Sequence, residues 1–534
     1  MSMTPRFDLL LCGGLLADGL GSPLVRADLG VVGDRIAAIG MLSDSEASVT
    51  VDATGQVVAP GFIDIHTHSD VSVLFTPGME SSLAQGVTSE VVGNCGISLG
   101  LATSAPDFAL ERRWLEGAGG AISWSELGGF LSRVEDSGMA INIATLAGHG
   151  SLRKRVMGMA HRPPTDTELT AMQRELEAAL QAGAIGLSSG LEYVPGSYAD
   201  VAELTALARV AARAGGFYAT HLRDEGDLLE QSVAEAIAVA EGAGLPLQLS
   251  HHKAERRRNW GKPLATLAMV DAARARGVDI LLDQYPYTAY QTSLAVIALP
   301  TWANAGTPEA LAEKLADTEL RARVRLWMGA LEDSGGIAWD AVEIASCPHK
   351  DYVGQSITAL AHANGTDPRD FILDLLAEGS GWVSAAHFAM SEADVAHILA
   401  DPRVMIGSDS VAMNPSVLSA DANRPHPRSY GTFARILERY VKEKHLLSLP
   451  EALRRMTSLP ARRLGWSDRG RLSVGAIADI TIFSPEAIHE CATFIAPHAL
   501  ATGVSTVIVS GQRAWQDGKP TGARAGKIVR RSCS

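Results

Sequence analysis

A regular alternation of strand-length apolar runs with helical patterns, beginning near residue 61, constrains the fold of this chain more than any other feature. Eight such runs recur along the sequence: FIDIH, EVVGNCG, INIATLAGHG, AIGLSSG, FYATHLRDE, LPLQLSHHK, DILLDQYPY and VMIGSDS. Continuous apolar strands that alternate with helices indicate a parallel sheet buried on both faces. Eight units favour an α/β fold of the (β/α)8 TIM-like barrel type, although the count alone leaves a doubly wound open sheet as an alternative.

Helix-start and helix-stop signals support this alternation. In TDTELTAMQRELEAALQAG, Thr165 precedes Glu168 by three residues, which predicts a capping box, and Gly183 stands where a left-handed C-cap is needed. Three further segments end in glycine in the same way: ADVAELTALARVAARAG, GDLLEQSVAEAIAVAEGAG and KPLATLAMVDAARARG. We therefore predict a helix in each of these four segments.

Both chain ends and one internal stretch depart from the alternation. Residues 1–60 and 467–534 carry short β patterns with turn signals, and we expect them to form one small β-sandwich beside a barrel of residues 61–466. Residues from about 291 to 385 contain helical stretches between the seventh and eighth strands. A stretch of that length predicts an inserted lid or subdomain.

Composition excludes several classes of function. The formal net charge is −14 and we find no basic stripe, so a nucleic acid is not the expected partner. The five cysteines are few and scattered, which suits a reducing compartment. No stretch approaches the ~20 apolar residues that span a membrane. We expect a cytoplasmic protein that acts on a small molecule, with a homo-oligomer left open.

Chemically active side chains are concentrated at the carboxyl ends of the predicted strands, which form the mouth of a (β/α)8 barrel. On the first strand, His66 and His68 lie two residues apart and so face the same side. Six of the 15 histidines fall at strand ends. This concentration is stronger evidence for a shared site than one HxH motif alone. The strand-end candidates are His66, His68, Asn94, Cys95, His149, Glu192, Tyr193, His221, Arg223, His251, His252, Lys253, Tyr285, Tyr287 and Asp409.

These residue types indicate a catalytic zinc site. Thiolate, imidazole and carboxylate are zinc ligands, and a catalytic site keeps one position open for water, whose pKa falls to about 7. Asp409 could take the proton of that water and later pass it to a leaving group. Each residue also has a plainer interpretation, since Cys95 alone could be a buried apolar residue and Asp409 could cap the next helix. One shared site accounts for all the strand ends together.

The same motifs resemble the amidohydrolase superfamily. The resemblance rests on GFIDIHTHSD, GNCG around Cys95, the strand-end His221 and His251, the SD pair that ends at Asp409, and GAIADI at 475–480. Within the superfamily, the chain is similar over nearly its whole length to N-acyl-D-amino-acid deacylases (D-aminoacylases). That likeness is carried by VVGNCG, GLSSGLEYVPG, SHHK, DQYPY and RPHPRSYGTFARIL. Its most specific element is the cysteine on the second strand combined with a fourth strand, AIGLSSG, that has no lysine.

The resemblance implies a metal-ligand set. One tightly bound zinc would be held by Cys95, His221 and His251. A second, weaker metal position would be surrounded by His66, His68 and Asp409. Asp409 would also be the general base and acid of the reaction.

The resemblance also implies a substrate and a reaction. The α-carboxylate of the substrate would be held by Lys253, Tyr193 and Tyr285. His149 and Arg223 are candidates for residues that support the metal ligands without binding the metal themselves. The reaction would be zinc-dependent hydrolysis of an N-acyl-D-amino acid to a carboxylate and a free D-amino acid. For the side-chain pocket, SAAHFAMSEADV offers one candidate cation, His387, which could equally be an ordinary lid residue.

Two other functions are alternatives to this interpretation. A cyclic-amide hydrolase of the dihydropyrimidinase or hydantoinase type shares the HxH motif and the late aspartate, but bridges its metals with a carboxylated lysine that the fourth strand lacks here. A non-catalytic scaffold with an amidohydrolase-like fold should have lost ligands or the base. This chain keeps all six residues of the two implied metal positions, including the base Asp409.

Overall fold

The computed structural model describes residues 6–42, 44–304, 306–379, 382–415 and 423–530. In chain order, the strands are β1 (Phe7–Leu16), β2 (Val25–Val32), β3 (Arg35–Gly40), β4 (Ala47–Asp52), β5 (Val57–Pro60), β6 (Phe62–Asp64), β7 (Val87–Val92), β8 (Asn142–Thr145), β9 (Ala147–Gly148), β10 (Gly186–Gly190), β11 (Phe217–His221), β12 (Leu247–Leu249), β13 (Ile280–Gln284), β14 (Tyr290–Ser293), β15 (Val342–Ser346), β16 (Ser384–His387), β17 (Val404–Ile406), β18 (Ile480–Phe483), β19 (Val504–Val509), β20 (Gln512–Gln516) and β21 (Lys519–Pro520).

The helices alternate with the parallel strands and also cover the stretch between β13 and β17. In chain order, they are α1 (Ser72–Phe75), α2 (Glu80–Leu83), α3 (Ala109–Gly117), α4 (Leu127–Ser137), α5 (His149–Met157), α6 (Asp166–Ala182), α7 (Val201–Arg213), α8 (Leu229–Ala243), α9 (Pro263–Ala275), α10 (Leu294–Ala298), α11 (Pro308–Lys314), α12 (Thr318–Asp333), α13 (Ile357–Ala363), α14 (Pro368–Glu378), α15 (Glu392–Ala400), α16 (Arg428–Arg435), α17 (Leu449–Met456) and α18 (Ser458–Leu464). A π-helical segment, Ile436–Glu443, continues α16.

The four helices predicted from capping signals are confirmed as α6, α7, α8 and α9. At the start of α6, the Glu168 amide donates to the Thr165 hydroxyl at 3.3 Å and the Thr165 amide donates to the Glu168 carboxylate at 2.8 Å. At the ends of α6 and α8, Gly183 and Gly244 have φ angles of 125° and 68°. These angles are accessible to glycine without a steric penalty, so local sequence is enough to end both helices.

Parallel strands run from β6 to β13 and include β17. One sheet has the order β6-β7-β8 and a second has the order β17-β13-β12-β11-β10-β9, with every pair parallel. All residues of β10, β11 and β13 are buried, as expected when helices cover both faces of a sheet. The predicted α/β fold with parallel-strand sheets is confirmed.

Backbone contacts extend beyond these two sheets. Leu146, which lies between β8 and β9, donates its amide to the Val92 carbonyl at 2.9 Å. At the other end, Thr67 and Ser410 form a parallel bridge. Beside that bridge, the Asp409 amide donates to the His66 carbonyl at 2.8 Å. The segments after β6 and β17 therefore run side by side.

Strands from both chain ends share the largest sheet. Its order is β21-β20-β19-β18-β5-β1-β2-β3, with β4 paired in parallel to β1. β5 joins the strands of the N-terminal end to those of the C-terminal end, because it pairs in parallel with β1 and antiparallel with β18. The buried side chains of this sheet include Leu9, Leu29, Val58, Ile480 and Ile508.

The stretch between β13 and β17 has its own core. It combines the antiparallel sheet β14-β16-β15 with α10 to α14, and its buried residues include Leu294, Val324 and Ile372. The sequence indicated helices here but not this sheet, because runs such as SAAH carry little strand propensity. Contacts with the segments that follow the parallel strands include two hydrogen-bonding pairs: Trp260 Nε1 donates to the Ala389 carbonyl at 2.9 Å, and the Tyr193 hydroxyl lies 3.4 Å from that of Thr292. Among the described residues, no helix has the length and apolar character that a membrane crossing requires.

Candidate metal centre and active site

Four side chains that follow different parallel strands converge at one point. Their ligand atoms lie within 4.8 Å of one another, and the residues are His66, Cys95, His251 and Asp409. The Cys95 sulfur lies 3.3 Å from His66 Nε2 and 3.5 Å from His251 Nε2. All four residues are buried.

A second group shares one of these histidines. It consists of His221, Glu225 and His251, whose ligand atoms also lie within 4.8 Å of one another. His221 Nδ1 is buried and has no hydrogen-bond partner among the described residues. A buried ring nitrogen without a partner is costly to a fold, and a ligand at this position would satisfy it.

Three of these residues have an unusual backbone conformation. The φ angles of Cys95, His251 and Asp409 are 51°, 32° and 51°. Positive φ is uncommon for residues with a Cβ, and such strain persists where the surrounding structure imposes it, often at functional sites. The chain therefore turns sharply after β7, β12 and β17, which directs the three side chains into the group.

Each of the three histidines in these groups has one ring nitrogen held by a carboxylate. The pairs are His66 Nδ1 with Asp283 at 3.1 Å, His251 Nδ1 with Glu225 at 3.1 Å, and His221 Nε2 with Glu192 at 2.9 Å. A carboxylate behind a histidine fixes the ring and its tautomer, and makes the other nitrogen a better metal ligand. For His66 and His251, that other nitrogen faces Cys95.

The charge state of Cys95 suits a metal ligand. Burial alone would raise the pKa of its thiol, but the charges of His66 and His251 outweigh burial and hold that pKa well below its usual value. The thiolate is the form that binds metal ions. The two groups together thus offer one sulfur anion and three oriented imidazoles.

Asp409 lies between the histidines and a buried arginine. Its Oδ1 is 3.1 Å from His68 Nε2 and 3.5 Å from His66 Nε2, and its Oδ2 is 2.8 Å from Arg428 Nη1. Burial raises the pKa of Asp409, but the charge of Arg428, together with the charges and hydrogen bonding of the neighbouring histidines, outweighs burial and holds this pKa well below its usual value. Asp409 is therefore an ionised carboxylate that can accept a proton.

Two cations flank the ring of Tyr285. The Lys253 ammonium lies 5.8 Å from the ring centroid and the Arg428 guanidinium lies 4.7 Å from it. The Tyr285 hydroxyl is buried without a hydrogen-bond partner among the described residues. Lys253 is also paired with Glu225 at 2.5 Å. Two cations and a phenol hydroxyl in one place can bind a carboxylate.

The other predicted substrate residue, Tyr193, contacts the metal-ligand groups directly. Its ring centroid lies 4.8 Å from that of His221. Its hydroxyl points toward Thr292 of β14. Tyr193 therefore lies between His221 and the antiparallel sheet β14-β16-β15.

His149 contacts neither group in the structure. Its Nε2 lies 2.8 Å from the Glu203 carboxylate, and the same carboxylate accepts a hydrogen bond from Arg153 at 2.5 Å. All three side chains are buried. His149 belongs to a buried ion-pair network between α5 and α7.

Arg223 fixes the segment that follows β10. Its guanidinium donates to the carbonyls of Ser197 and Ala199, each at 2.7 Å. It is held in turn by Glu235 through two hydrogen bonds of 2.9 and 2.8 Å. The same segment carries Glu192 and Tyr193, so Arg223 contacts the segment but neither metal-ligand group in the described hydrogen bonds.

Sequence reasoning missed three charged residues at this site. Asp283 is a charged residue inside the apolar run ILLDQ, which is a usable signal. Glu225 ends the quoted run FYATHLRDE, but nothing in the pattern pairs it with His251. Arg428 lies in RPHPR, and its proximity to Asp409 depends on the path of the intervening chain.

An α/β protein with a thiolate, imidazoles and a carboxylate gathered at the ends of its parallel strands has the architecture of a metal-dependent hydrolase. The model of the Amidohydrolase family matches residues 49–514, and the chain belongs to this family. Its relatives include an N-acyl-D-glutamate deacylase of Alcaligenes xylosoxydans xylosoxydans, which is 40% identical over 100% of this chain and 98% of its own length.

Two solved structures are similar over almost the whole chain. An N-acyl-D-glutamate deacylase from Bordetella bronchiseptica, complexed with zinc and a phosphonate inhibitor that mimics the tetrahedral intermediate, is 36% identical with a TM-score of 0.84. A D-aminoacylase, described as having a binuclear metal centre with one-metal activation and second-metal attenuation, is 35% identical with a TM-score of 0.83. Each match covers 98% of this chain and 100% of the other.

Proposed function

We propose that this protein is a zinc-dependent deacylase of N-acyl-D-amino acids. It hydrolyses the linear amide bond and releases a carboxylate and a free D-amino acid. The observation that carries the proposal is the group of His66, Cys95, His251 and Asp409 within 4.8 Å, beside a tyrosine flanked by two cations. The activity named for the relatives agrees with this chemistry.

The residues present fit zinc. They supply a thiolate and oriented imidazoles, and His221 Nδ1 is buried without another partner among the described residues. We infer that the tightly bound zinc is held by Cys95, His221 and His251, and that a second, weaker position is bounded by His66, His68 and Asp409. When bound, the metal polarises the amide carbonyl and lowers the pKa of a coordinated water toward neutrality.

Asp409 moves the proton in this mechanism. As an ionised carboxylate within 3.5 Å of His66 and His68, it accepts a proton from the attacking water. The water oxygen forms the new bond to the amide carbon while the carbon–nitrogen bond breaks, and Asp409 returns the proton to the departing nitrogen. Arg428 orients the carboxylate through its 2.8 Å ion pair.

Lys253, Tyr285 and Tyr193 bind the α-carboxylate of the substrate, and the structure adds Arg428 to this set. Lys253 and Arg428 supply positive charge on the two flanks of Tyr285, whose hydroxyl is available to donate. Selection of the D-enantiomer follows when three points are fixed together: the amide carbonyl, the α-carboxylate and the side chain. A substrate of the opposite hand can place two of these groups correctly, but not all three.

The domain organisation is also a proposal. We propose that the parallel strands close into a (β/α)8 barrel of residues 61–466, supported by the near-continuity of β8 with β9 and by the bridge between Thr67 and Ser410. Residues 1–60 and 467–534 then form the β-sandwich domain, supported by their common sheet. The stretch of about 291 to 385 is the lid. A homo-oligomer and a cytoplasmic location stay predictions.

The deciding experiment measures free-amine release by the zinc-loaded protein from matched N-acetyl-D- and N-acetyl-L-amino acids. The panel contains Met, Leu, Phe, Glu and Asp, with N-formyl variants, and the Asp409→Asn variant purified in parallel controls for contaminating acylases. We expect turnover of D-substrates alone. Equal turnover of the L-set would overturn the assigned stereochemistry, and turnover of hydantoin or dihydrouracil alone would favour a cyclic-amide hydrolase. A protein that neither binds zinc nor turns over any substrate would be a scaffold.

A further inference from the structure

Beyond His221, a cluster of charged and phenolic side chains extends the site toward the inserted sheet. Glu192 bonds to His221, and Glu255 is buried beside Arg256 at 3.1 Å. Tyr290 interacts electrostatically with both carboxylates: burial raises the pKa of its hydroxyl, and the charges of Glu255 and Glu192 raise it further, well above its usual value. We call Glu192, Glu255 and Tyr290 the acidic wall.

The acidic wall lies apart from the Arg428 side of the α-carboxylate site. Glu192 follows β10, whereas Asp409 and its partner Arg428 follow β17. In the sheet order, β10 and β17 are separated by three strands, β11, β12 and β13. In a substrate whose α-carboxylate lies between Lys253 and Arg428, a substituent that extends past His221 reaches this wall, because Glu192 bonds to His221.

The arginine that contacts this wall is already paired with protein carboxylates. Arg256 lies 3.1 Å from Glu255 and 3.6 Å from Asp227, so two acidic groups share its charge. Arg223 is held by Glu235 at 2.8 Å. Within the described part of the chain, we find no unpaired cation beside the wall.

His387 does not supply the missing charge. Its Nδ1 lies 3.1 Å from the Tyr290 hydroxyl, and it is buried in β16. Burial lowers the pKa of His387 to about 4, so its ring is neutral near pH 7. The candidate cation that the sequence offered for the side-chain pocket is thus an uncharged hydrogen-bonding group.

Resting on the deacylase function proposed above, we propose that the side-chain subsite is the acidic wall and that it selects D-amino acids with uncharged side chains over acidic ones. At the α-carboxylate site, two cations face two protein carboxylates: Lys253 pairs with Glu225, and Arg428 pairs with Asp409. At the wall, a single cation, Arg256, is shared between Glu255 and Asp227. A second carboxylate would face Glu192 and Glu255 without an available counter-charge. Like charges brought together in a desolvated site cost several kcal/mol, whereas a side-chain amide of the same shape can donate to the same carboxylates.

The first test uses isosteric substrate pairs and needs no variant. The kcat/KM of the zinc-loaded protein is measured for N-acetyl-D-glutamine against N-acetyl-D-glutamate, and for N-acetyl-D-asparagine against N-acetyl-D-aspartate. We expect the amide to exceed the acid by at least about 10-fold in each pair. Equal values, or a preference for the acids, would overturn the inference while leaving the deacylase intact. No turnover of any of these substrates or of N-acetyl-D-methionine would instead refute the deacylase function.

A second test locates the selectivity in the wall. Glu255→Gln removes one of the two carboxylates that pair with Arg256, so that only Asp227 still shares its charge. The ratio of kcat/KM for N-acetyl-D-glutamate to that for N-acetyl-D-glutamine should therefore rise at least about 10-fold. Because both substrates are measured on one preparation, loss of folded protein does not change this ratio. The matched control is Glu241→Gln, a surface carboxylate that pairs with Arg276 at 2.6 Å, and its ratio should equal that of the wild type. A ratio that does not change in Glu255→Gln would exclude the wall as the subsite.

Discussion

The Arg428 guanidinium lies 2.8 Å from Oδ2 of Asp409 and 4.7 Å from the ring centroid of Tyr285. One side chain thus links the proposed proton-transfer group to the proposed substrate-carboxylate site. We expect Arg428→Met to lower kcat/KM by about 10- to 100-fold, since a charge-assisted hydrogen bond contributes about 1.5 to 3 kcal/mol. Steady-state kinetics with N-acetyl-D-methionine should show both a higher KM and a lower kcat.

Two further measurements make this prediction specific. Arg428→Lys keeps the charge but loses the planar fork, so it should recover only part of the activity. Zinc content should stay at the wild-type level in both variants, because Arg428 is not among the proposed ligands. Unaltered kinetics in Arg428→Met would show that neither the carboxylate of Asp409 nor that of the substrate depends on it.

Cys95 should be required for tight zinc binding. Cys95→Ala removes the one thiolate of the group, so we expect loss of tightly bound zinc and of activity together. Metal content is measured after dialysis against a weak chelator. Cys347→Ala is the matched control, since Cys347 lies in the inserted stretch with its sulfur 3.1 Å from the His349 carbonyl. Full zinc retention with wild-type turnover in Cys95→Ala would remove this cysteine from the site.

Asp283 should tune the metal affinity without being a ligand. It holds His66 Nδ1 at 3.1 Å and also accepts the backbone amide of His251 at 2.8 Å. We expect Asp283→Asn to weaken zinc binding by about 10- to 100-fold, as removal of a carboxylate behind a metal-binding histidine commonly does. Competition with a chromogenic chelator measures the change, and added zinc should restore turnover. An unchanged zinc affinity would show that the Asp283–His66 pair has no bearing on the metal.

Local patterns in the sequence predict the parts of the fold that depend on neighbouring residues. The Thr165–Glu168 capping box and the positive φ of Gly183 both follow from residues of one short segment, and the apolar runs identify the parallel strands. The three carboxylates behind the histidines are different, because each pair joins residues from separate strands or loops. Whether Glu225 reaches His251, or Arg428 reaches Asp409, depends on rotamers and loop paths that no periodicity encodes.

Asp409 should be needed for proton transfer and not for tight metal binding. Asp409→Asn keeps the shape of the side chain but cannot accept a proton, so kcat should fall by at least ~10²-fold while zinc stays bound. Turnover of N-acetyl-D-methionine and metal content are measured on the same preparation. Asp374→Asn, an exposed carboxylate paired with Arg321, controls for charge removal. If kcat did not change in Asp409→Asn, the proton would have to move through another group.

The buried network of His149, Glu203 and Arg153 should act on stability and not on catalysis. Burial raises the pKa of Glu203, but the hydrogen bond and charge of His149, with the charge of Arg153, outweigh burial and lower it overall. A carboxylate whose pKa is lower in the folded state stabilises the fold above its unfolded pKa of about 4.3, and this contribution is lost as the pH falls through the folded value.

Glu203→Gln should therefore lower Tm at pH 7, by the equivalent of about 3 kcal/mol for a broken buried ion pair. The difference in Tm from the wild type should begin to shrink once the pH falls below about 4.3, and it should shrink further as the pH falls through the folded pKa. Thermal unfolding across this pH range measures it, and turnover at 25 °C should stay near wild type; a selective loss of kcat at unchanged Tm would instead place His149 in catalysis.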